Sequence, residues 1–407
     1  MDLVLKNAAF VGEPNMTRDI GVANGRIVAI EPELPAEGEI LDLAGRLAVP
    51  GFVESHIHLD KSCILDRCRS EEGTLQEALR EVAAAKAAFT VEDIRDRAIR
   101  TLKKCILQGT TRMRTHVEVD PVIGLKGIEA ILPLRREFAW AIDLEICVFP
   151  QDGLLNNPGT EDLMVHALRN GASVIGGCPY TDSDPHGQID RIFELAREFD
   201  VDIDFHLDFD IDPDRMTVWH VCDNAERFGW GGRVAVGHVS KLSALDPGAL
   251  AAASKRMADA GVALTVLPST DLFLMGGNAD RNVPRGVAPV HHIREHGVLC
   301  ALSTNNVLNP FTPFGDCSMI RMANLYANIA QIGTPSGHRA CLGHVTTDAA
   351  RLMRLADYGI LPGNPADLIV LDCRTAEDAV REIAIPLYGF KNGKRTFTRL
   401  PAQLHEP

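Results

Sequence analysis

The sequence predicts an α/β fold, a (β/α)8 TIM barrel that carries a small β-sandwich domain formed from both chain termini. Three observations lead to this prediction. Eight apolar, strand-like runs alternate with helical stretches through the middle of the 407-residue chain. The first and last fifty or so residues are β-rich pieces broken by Asn, Gly and Pro. Polar side chains collect where the middle runs end, the place where a barrel carries its reactive groups.

The two ends of the chain are predicted to pair into one sheet domain, made of residues 1–50 and 357–407. The N-terminal part contains "DLVLKNAAFV" and "DIGVANGRIVAIEP", in which Ala-Asn-Gly before "RIVAI" is a hairpin signal. The C-terminal part contains "GILPGNPADLIVLD" and "PLYGFKNGKRT", which again follow a strand, turn, strand pattern. The catalytic barrel then occupies residues 51–356.

The eight predicted barrel strands follow one another along this middle segment. In chain order they are "GFVESHIHLD", "TTRMRTHVEVD", "DLEICVFPQDG", "ASVIGGCPYTD", "VDIDFHLDFD", "RVAVGHVS", "GVALTVLPST" and "GVLCALSTNN". Stretches with helical periodicity, such as "TLQEALREVAAAKAAF" and "QIDRIFELAREFD", lie between them. Alternation of this kind is typical of a closed parallel barrel.

The amino-acid composition predicts which class of partner the protein binds and which cellular compartment it occupies. The formal charge of −14 predicts repulsion from nucleic acid and anionic membrane, and favours a small neutral or cationic ligand. We see no apolar run of about 18 residues and no basic N-terminal leader, so neither a spanning helix nor a secretory signal is expected. The ten cysteines are scattered without a C-x-x-C pair, which is typical of a reduced, cytoplasmic protein. A barrel with an attached sheet domain allows homo-oligomers, although no sequence feature requires them.

Four histidines at strand ends point to a metal. His56 and His58 are two apart in "GFVESHIHLDKS", so they face the same side of one strand. His206 closes "DIDFH" and His238 closes "VAVGH". Neutral imidazoles converging at a barrel mouth suit zinc or ferrous iron, and a bound ion lowers the pKa of water to roughly 7. The alternative is that each histidine only satisfies hydrogen bonds in a polar barrel mouth.

Longer stretches carry a family resemblance. "PGFVESHIHLDKS", "VFPQDGLLNNPGTEDLMVHALRNGASVIGG", "FHLDFD", "VGHVSKL", "LPSTDLFLMGGNADRNVPRGVAPV" and "NNVLNPFTPFGDCSM" resemble the amidohydrolase superfamily, and within it the cytosine deaminase group. "HLDKS" is at least as similar to the branch that removes N-alkyl groups from triazines, the N-isopropylammelide isopropylaminohydrolases. The resemblance covers nearly the whole chain, including the N-terminal sheet and "LPGNPADLIVLD".

The resemblance implies roles residue by residue. His56, His58 and His206 match the metal-ligand histidines of the family. His238 matches a histidine that polarises the attacked carbon's substituent or assists water, and Gln151 matches a glutamine that recognises the ring amide. A loop hydrogen bond to the backbone is the other role open to Gln151. Because no lysine ends the fourth strand, the resemblance implies one divalent metal, zinc or iron.

Two positions depart from the family. Asn305, followed by Asn306, replaces the strand-eight aspartate that binds metal and carries a proton. A carboxamide can offer metal an oxygen or orient water, but it does not accept a proton at neutral pH; it can also support the site without touching the metal. Phe209 replaces the glutamate acid/base. Asp208 shares a strand face with His206 and is the predicted replacement base, and Asp210 follows it; a helix start or a salt bridge is the alternative for both.

Asn305 and Asn306 complete the predicted catalytic and substrate-binding set with Asp208, His238 and Gln151. Further polar residues near strand ends are weaker candidates: Asp60, Lys61, His116, Asp271, Asn278, Arg281, His291 and His292. His116 fits a ligand or a supporting role. Asp60 and Lys61 either pair or line the pocket, and the loop from 271 to 281 could contact substrate as a lid. The adjacent residues 291 and 292 face different ways, as at a solvated helix start.

Three functions follow as hypotheses. The first is a metal-dependent hydrolase of cyclic amidines or amides, an enzyme acting on carbon–nitrogen bonds other than peptide bonds, with cytosine-like deamination by an activated water as the leading case. The second is a hydrolase of N-alkyl-substituted heterocycles or another amide, for which a better leaving group relaxes the need for an acid. The third is an inactive ligand-binding homologue, suggested by the loss of both carboxylates at positions 209 and 305. In each case the expected partner is a small nitrogen heterocycle.

Overall fold

In this computed structural model, which describes residues 1–405, strands are distributed as the sequence predicts. The strands are β1 Leu3–Phe10, β2 Glu13–Ala23, β3 Arg26–Glu31, β4 Glu39–Asp42, β5 Leu47–Pro50, β6 Phe52–Ile57, β7 Thr110–Glu118, β8 Asp143–Phe149, β9 Val174–Ile175, β10 Asp202–Leu207, β11 Val234–His238, β12 Val262–Val266, β13 Cys300–Leu302, β14 Leu368–Leu371, β15 Pro386–Lys391 and β16 Lys394–Thr398.

Helices follow most of the barrel strands. They are α1 Leu75–Lys86, α2 Val91–Leu107, α3 Lys126–Ile131, α4 Leu134–Glu137, α5 Thr160–Arg169, α6 Pro185–Phe199, α7 Val218–Phe228, α8 Pro247–Asp259, α9 Pro268–Leu274, α10 Val290–Ile293, α11 Met319–Ile329, α12 Pro335–Gly343, α13 Thr347–Leu352 and α14 Ala376–Arg381. None of the helices within residues 1–405 is long and apolar enough to cross a membrane.

The strands β6 to β13 form a parallel barrel in sequential order. The seam between the first and last strands closes through backbone hydrogen bonds, because His58 N donates to Asn305 O and Asn305 N donates to His56 O, both at 2.9 Å. All eight predicted barrel strands are present, and the predicted (β/α)8 fold is confirmed. The seam places the histidines of β6 beside Asn305 at the carboxyl-terminal mouth.

The helices pack on this barrel because their apolar residues recur at helical spacing. In α2, Ile94, Ala98 and Leu102 are four apart and fully buried, so they form one stripe against the sheet. The helix begins at Thr90, whose side chain accepts a hydrogen bond from the backbone N–H of Asp93. α1 begins in the same way at Thr74. These helices support the strand ends that carry the site.

The terminal strands form a second sheet with its own core. Its order is β16-β15-β14-β5-β1-β2-β3, and β4 pairs with β1. Leu5, Ile20, Ile27, Val370 and Phe390 pack together inside it, in a cluster separate from that of the barrel. The sheet is continuous in its hydrogen bonding, so the predicted sandwich consists of one sheet enclosing one small core. The domain boundaries at residues 50 and 357 stay a prediction.

Candidate active site

Three imidazoles converge at the mouth of the barrel. His56 lies on β6 and His58 comes directly after it, on the same face of the chain, and His206 reaches the same point from β10. The Nε2 atom of His206 lies 3.1 Å from Nε2 of His56 and 3.0 Å from Nε2 of His58. All three rings are buried. Three nitrogen atoms at such spacing surround a single point, as the ligands of one ion would.

The chemistry of these groups fits a divalent metal. Burial lowers the pKa of His56 to about 3 and lowers the pKa of His58 and His206 well below the usual range, so the rings are neutral and their lone pairs are free. Asn305 contributes a buried Oδ1 with no hydrogen-bond partner among residues 1–405, while its Nδ2 donates to Thr270 Oγ1 at 3.2 Å. Imidazole nitrogens with one amide oxygen are a suitable donor set.

Three buried side chains, Asp204, Arg114 and His116, lie behind the His56 ring. Asp204 Oδ1 lies 3.4 Å from His56 Nδ1 and 3.5 Å from His116 Nε2. Arg114 binds the other Asp204 oxygen at 2.8 Å. The His116 ring stacks on His56, with 3.8 Å between ring centroids, so His116 lies behind the three converging nitrogen atoms. On the β11 side, a Cβ on Gly237 would come within 2.9 Å of the His56 ring, so glycine leaves room for the imidazole.

His238 is oriented by a carboxylate. Its Nδ1–H donates to Asp271 Oδ1 at 2.6 Å, which leaves Nε2 for other partners. Burial raises the pKa of Asp271, and the facing imidazole opposes that rise. Asp271 also accepts a hydrogen bond from Leu267 N at 3.2 Å. The sequence suggested a substrate contact for Asp271, whereas the structure shows it holding His238.

The geometry contradicts the prediction that Asp208 faces the metal. One Asp208 oxygen accepts hydrogen bonds at 2.8 Å from both the N–H and the hydroxyl of Thr217, and the other accepts from Val218 N at 3.0 Å. Its carboxylate therefore caps the start of α7, the alternative that the sequence left open. Asp208 has φ +48°, a left-handed conformation that ends the strand alternation. Asp210 is exposed and pairs with Lys241 at 3.2 Å.

His58, His206 and His238 open onto a small cavity at the barrel mouth. Six predicted site residues line it: His58, Gln151, His206, His238, Asn305 and Asn306. The sequence did not assign a role there to four other lining residues: Tyr180, Phe209, Thr270 and Phe311. Tyr180 and Thr270 stand just beyond the fourth and seventh strands, so their position at strand ends was the signal that could have found them. The Phe209 ring packs against His238, with 4.0 Å between ring centroids and 41° between the ring planes.

Lys61 also lines the cavity. Its ammonium donates to Gln151 Oε1 at 2.6 Å and lies 3.7 Å from Glu118 Oε2. The carboxylate of the neighbouring Asp60 turns away and accepts the backbone N–H of Lys61 at 2.9 Å and that of Glu118 at 2.8 Å. The two side chains therefore do not pair with each other, and Lys61 takes the pocket position. Gln151 Nε2 donates to Cys178 Sγ at 3.4 Å.

A second group of acids, of which Glu118 and Asp120 are buried and Asp152 is partly exposed, binds a lysine. Glu118, Asp120 and Asp152 lie close enough to hold an ion, but the Lys86 ammonium binds all three carboxylates, with 2.6 Å to Asp120 Oδ2. Burial raises the pKa of Glu118 to about 7, against the opposing effect of the two lysines. This cluster is an ion-pair network that ties α1 to the barrel.

The remaining candidates lie outside the cavity. Asn278 lines an outer chamber that shares Phe209 with it, whereas Arg281 is exposed. His291 is half-buried, with its Nδ1 3.0 Å from the hydroxyl of Tyr326. His292 is exposed, so the adjacent histidines face different ways, as predicted.

The lowered pKa values predict how metal affinity responds to pH. Because His56, His58 and His206 are neutral when folded, protons do not compete for them, and we expect zinc affinity to change by less than about threefold between about pH 7.5 and 5.5. Three imidazoles with ordinary pKa values would lose on the order of 10³ in affinity over that range. Competition titration with a chelator measures the affinity, and a steep loss would contradict the burial argument.

Comparison with known proteins agrees with this geometry. The sequence pattern of the amidohydrolase family matches residues 39–132 and 132–396. The chain belongs to the amidohydrolase family. Membership makes this amidohydrolase a hydrolase of carbon–nitrogen bonds other than peptide bonds, as predicted, and its three converging imidazoles provide a site for a divalent metal.

Relatives of this amidohydrolase include both predicted branches. It is 29% identical to the N-isopropylammelide isopropyl amidohydrolase of Pseudomonas sp. (strain ADP), over 97% of this chain and 96% of that protein. It is 28% identical to the pterin deaminase of Rhizobium rhizogenes, over 88% and 83%. The structure of 5-methylcytosine deaminase from Klebsiella pneumoniae liganded with 5-fluorocytosine superposes with a TM-score of 0.95 at 28% identity, covering 99% of each chain. The predicted resemblance is confirmed.

Proposed function

We propose that this amidohydrolase removes an exocyclic amine from a small nitrogen heterocycle by hydrolysis, in the manner of a deaminase. The observation that carries the proposal is the shared cavity. The converging imidazoles, the Asp271-held His238 and the Gln151 amide all meet there. A hydrolase of a flat ring needs all three parts: an activated water, a group that handles the proton, and a polar group that holds the ring.

The metal would be held by His56, His58 and His206, with Asn305 Oδ1 as the fourth protein ligand. When bound, such an ion supplies a water whose pKa is lowered to roughly 7. Zinc and ferrous iron both suit this donor set, and we favour zinc because it commonly takes nitrogen and oxygen ligands and can expand to five-coordination, which leaves a position for the water. Since Asn305 cannot accept a proton, another group must carry that step.

His238 is the group we assign to proton transfer. Asp271 accepts the Nδ1–H, so Nε2 is a base that can take a proton and return it to the departing amine. The carboxylate stabilises the protonated ring and fixes its orientation. The Phe209 ring packs against this imidazole, with 4.0 Å between ring centroids. Asp271 is thus a positioning residue, and the helix-capping Asp208 takes no part.

A substrate screen tests the proposal. We expect the zinc-loaded protein to release ammonia from at least one aminopyrimidine, aminopteridine or aminotriazine. A coupled ammonia assay measures the release. The apoprotein, prepared with a chelator, should release none. If the fully loaded protein turned over no ring compound, the deaminase proposal would fail. A protein that folds but binds no metal at all would favour the inactive ligand-binding alternative.

One feature favours N-alkyl hydrolysis as a second candidate. Phe209 lines both the cavity and a neighbouring outer chamber, whose lining also includes Leu75, Leu274 and Met275. An apolar substituent on the leaving amine would fit that chamber, and a ring carrying one would release an alkylamine. Chromatography of the products of an N-alkylaminotriazine would detect that amine, and ammonia alone would count against the candidate.

We also propose a cellular location and a class of ligand for the enzyme. The ten cysteines are free, which supports a reducing, cytoplasmic location. We propose a small nitrogen heterocycle as its partner, with no part for nucleic acid. Assembly into homo-oligomers stays a prediction, which light scattering of the purified protein would test.

A further inference from the structure

A buried ion pair lies beneath the converging imidazoles, one step nearer the start of the barrel strands. Asp204 precedes His206 by two residues on β10, and Arg114 precedes His116 by two on β7, so each pair shares a strand face. The side chain of Arg114 is 1% exposed and that of Asp204 is fully buried. Arg114 Nη1 donates to Asp204 Oδ2 at 2.8 Å, and its Nε donates to Glu145 Oε2 at 2.6 Å. The guanidinium therefore occupies one Asp204 oxygen and compensates the buried charge.

The other Asp204 oxygen faces two imidazole rings. Oδ1 lies 3.4 Å from His56 Nδ1 and 3.5 Å from His116 Nε2. None of these three buried atoms has a hydrogen-bond partner within the described residues. An ionised carboxylate only accepts, and each of its oxygens has two lone pairs, so Oδ1 can accept from both rings. Both distances are roughly 0.5 Å longer than an ordinary N–H···O bond, a gap that a small ring rotation closes.

The position of the single ring proton decides whether His56 can bind a metal. A neutral imidazole has one N–H and one lone pair, and the lone pair has to lie on the nitrogen that faces the ion. In His56 that nitrogen is Nε2, which lies 3.1 Å from His206 Nε2. A proton on Nδ1 leaves Nε2 free and gives Asp204 Oδ1 a donor. A proton on Nε2 would instead block the ligand atom and set the Nδ1 lone pair against the carboxylate.

We propose that Asp204, itself held by Arg114, is a positioning residue that keeps the ring proton of His56 on Nδ1 and so leaves Nε2 free to bind the metal. A carboxylate behind a ligand imidazole fixes its orientation and strengthens it as a ligand. Asp204 and Glu145 share the one guanidinium of Arg114, so this group of three has a net negative formal charge, which also favours a cation in front of the ring. The inference rests on the proposed function for the identity of the metal ligands, but its test needs no substrate.

Asp204→Asn tests the proposal with little change in the shape of the side chain. The Arg114 guanidinium only donates, so the carboxamide oxygen takes that side and the amide nitrogen faces His56. A donor at that place favours the opposite arrangement, with the proton of His56 on Nε2. We expect zinc affinity, measured by competition with a chelator, to fall by about 10- to 100-fold. A fall of less than about threefold would overturn the inference.

Glu145→Gln is the matched control. It removes the same formal charge from the other side of Arg114, and Glu145 is 28% exposed. Because a partly exposed charge is screened by water, we expect zinc affinity to change by less than about threefold. An equal loss of affinity in both variants would show that charge rather than proton placement is responsible, and would overturn the inference.

A measurement on the parent protein keeps the test decisive even if Asp204→Asn does not fold. Heteronuclear NMR of the histidine rings in the metal-free protein reports which ring nitrogen carries the proton. We expect Nδ1 for His56 in the parent and Nε2 in Asp204→Asn, a change that a merely structural role for Asp204 would not produce. A proton on Nε2 in the parent would overturn the inference. Turnover by the parent, with zinc affinity unchanged in Asp204→Asn, overturns the inference alone, whereas the expected loss of zinc affinity without turnover by the parent overturns only the proposed function.

Discussion

His206→Ala is expected to leave the protein folded but without bound metal, and to lower turnover by on the order of 10³-fold or more. The His206 Nε2 lies within 3.1 Å of the Nε2 atoms of both His56 and His58, so its removal leaves only two of the three imidazoles. Two imidazoles and an amide oxygen hold zinc far more weakly than a set of four ligands. Elemental analysis after dialysis and an ammonia assay measure the two effects.

His166→Ala is the matched control for this loss. His166 is an exposed histidine on α5, so its removal should leave metal content and turnover unchanged. If the His206 variant retained a full equivalent of zinc, the metal would have to lie elsewhere. The assignment of the three converging imidazoles would then be wrong.

Asp271→Asn is expected to reduce kcat by on the order of 10²–10⁴ without changing metal content. Asparagine keeps the size of the side chain but not the charge that orients the His238 ring and stabilises its protonated form, which is the basis for the role assigned to His238. Because the effect is on proton transfer, KM should change by less than about threefold. Steady-state kinetics on the best ring compound measures both constants.

Asp208→Asn tests whether Asp208, rather than Asp271, contributes to catalysis. Its carboxylate caps α7 through Thr217 and Val218, so the variant should lose about 1 kcal/mol of unfolding free energy while kcat stays within about threefold. Urea denaturation gives the first quantity. A large fall in kcat for Asp208→Asn, together with normal kcat for Asp271→Asn, would restore the role that the sequence predicted for Asp208.

The barrel and its histidines could be predicted because they follow simple periods. Residues two apart on a strand share a face, and this rule alone brings His56 and His58 together. The strand order then places His206 and His238 at the same mouth, as the structure has them. The terminal sheet could be predicted from turn residues at both chain ends. In each case the relevant information is local or follows from the alternation of elements.

The partners of the aspartates could not be predicted because that periodicity stops at the strand ends. Asp208 has φ +48° and so leaves the alternation that seemed to aim it at the metal. His238 has φ +70° at the end of β11, and its partner Asp271 lies 33 residues further on, in a helix after the next strand. The orientation of Gln151 likewise depends on Lys61, a contact across 90 residues. Such contacts depend on the conformation of the turns, which the sequence pattern does not determine.

The most direct test of the account is anomalous diffraction from crystals grown with zinc. We predict one strong peak for each chain, enclosed by the imidazoles of His56, His58 and His206, with the Asn305 side-chain oxygen turned toward it. No peak between these rings, or a peak among Glu118, Asp120 and Asp152 instead, would contradict the account.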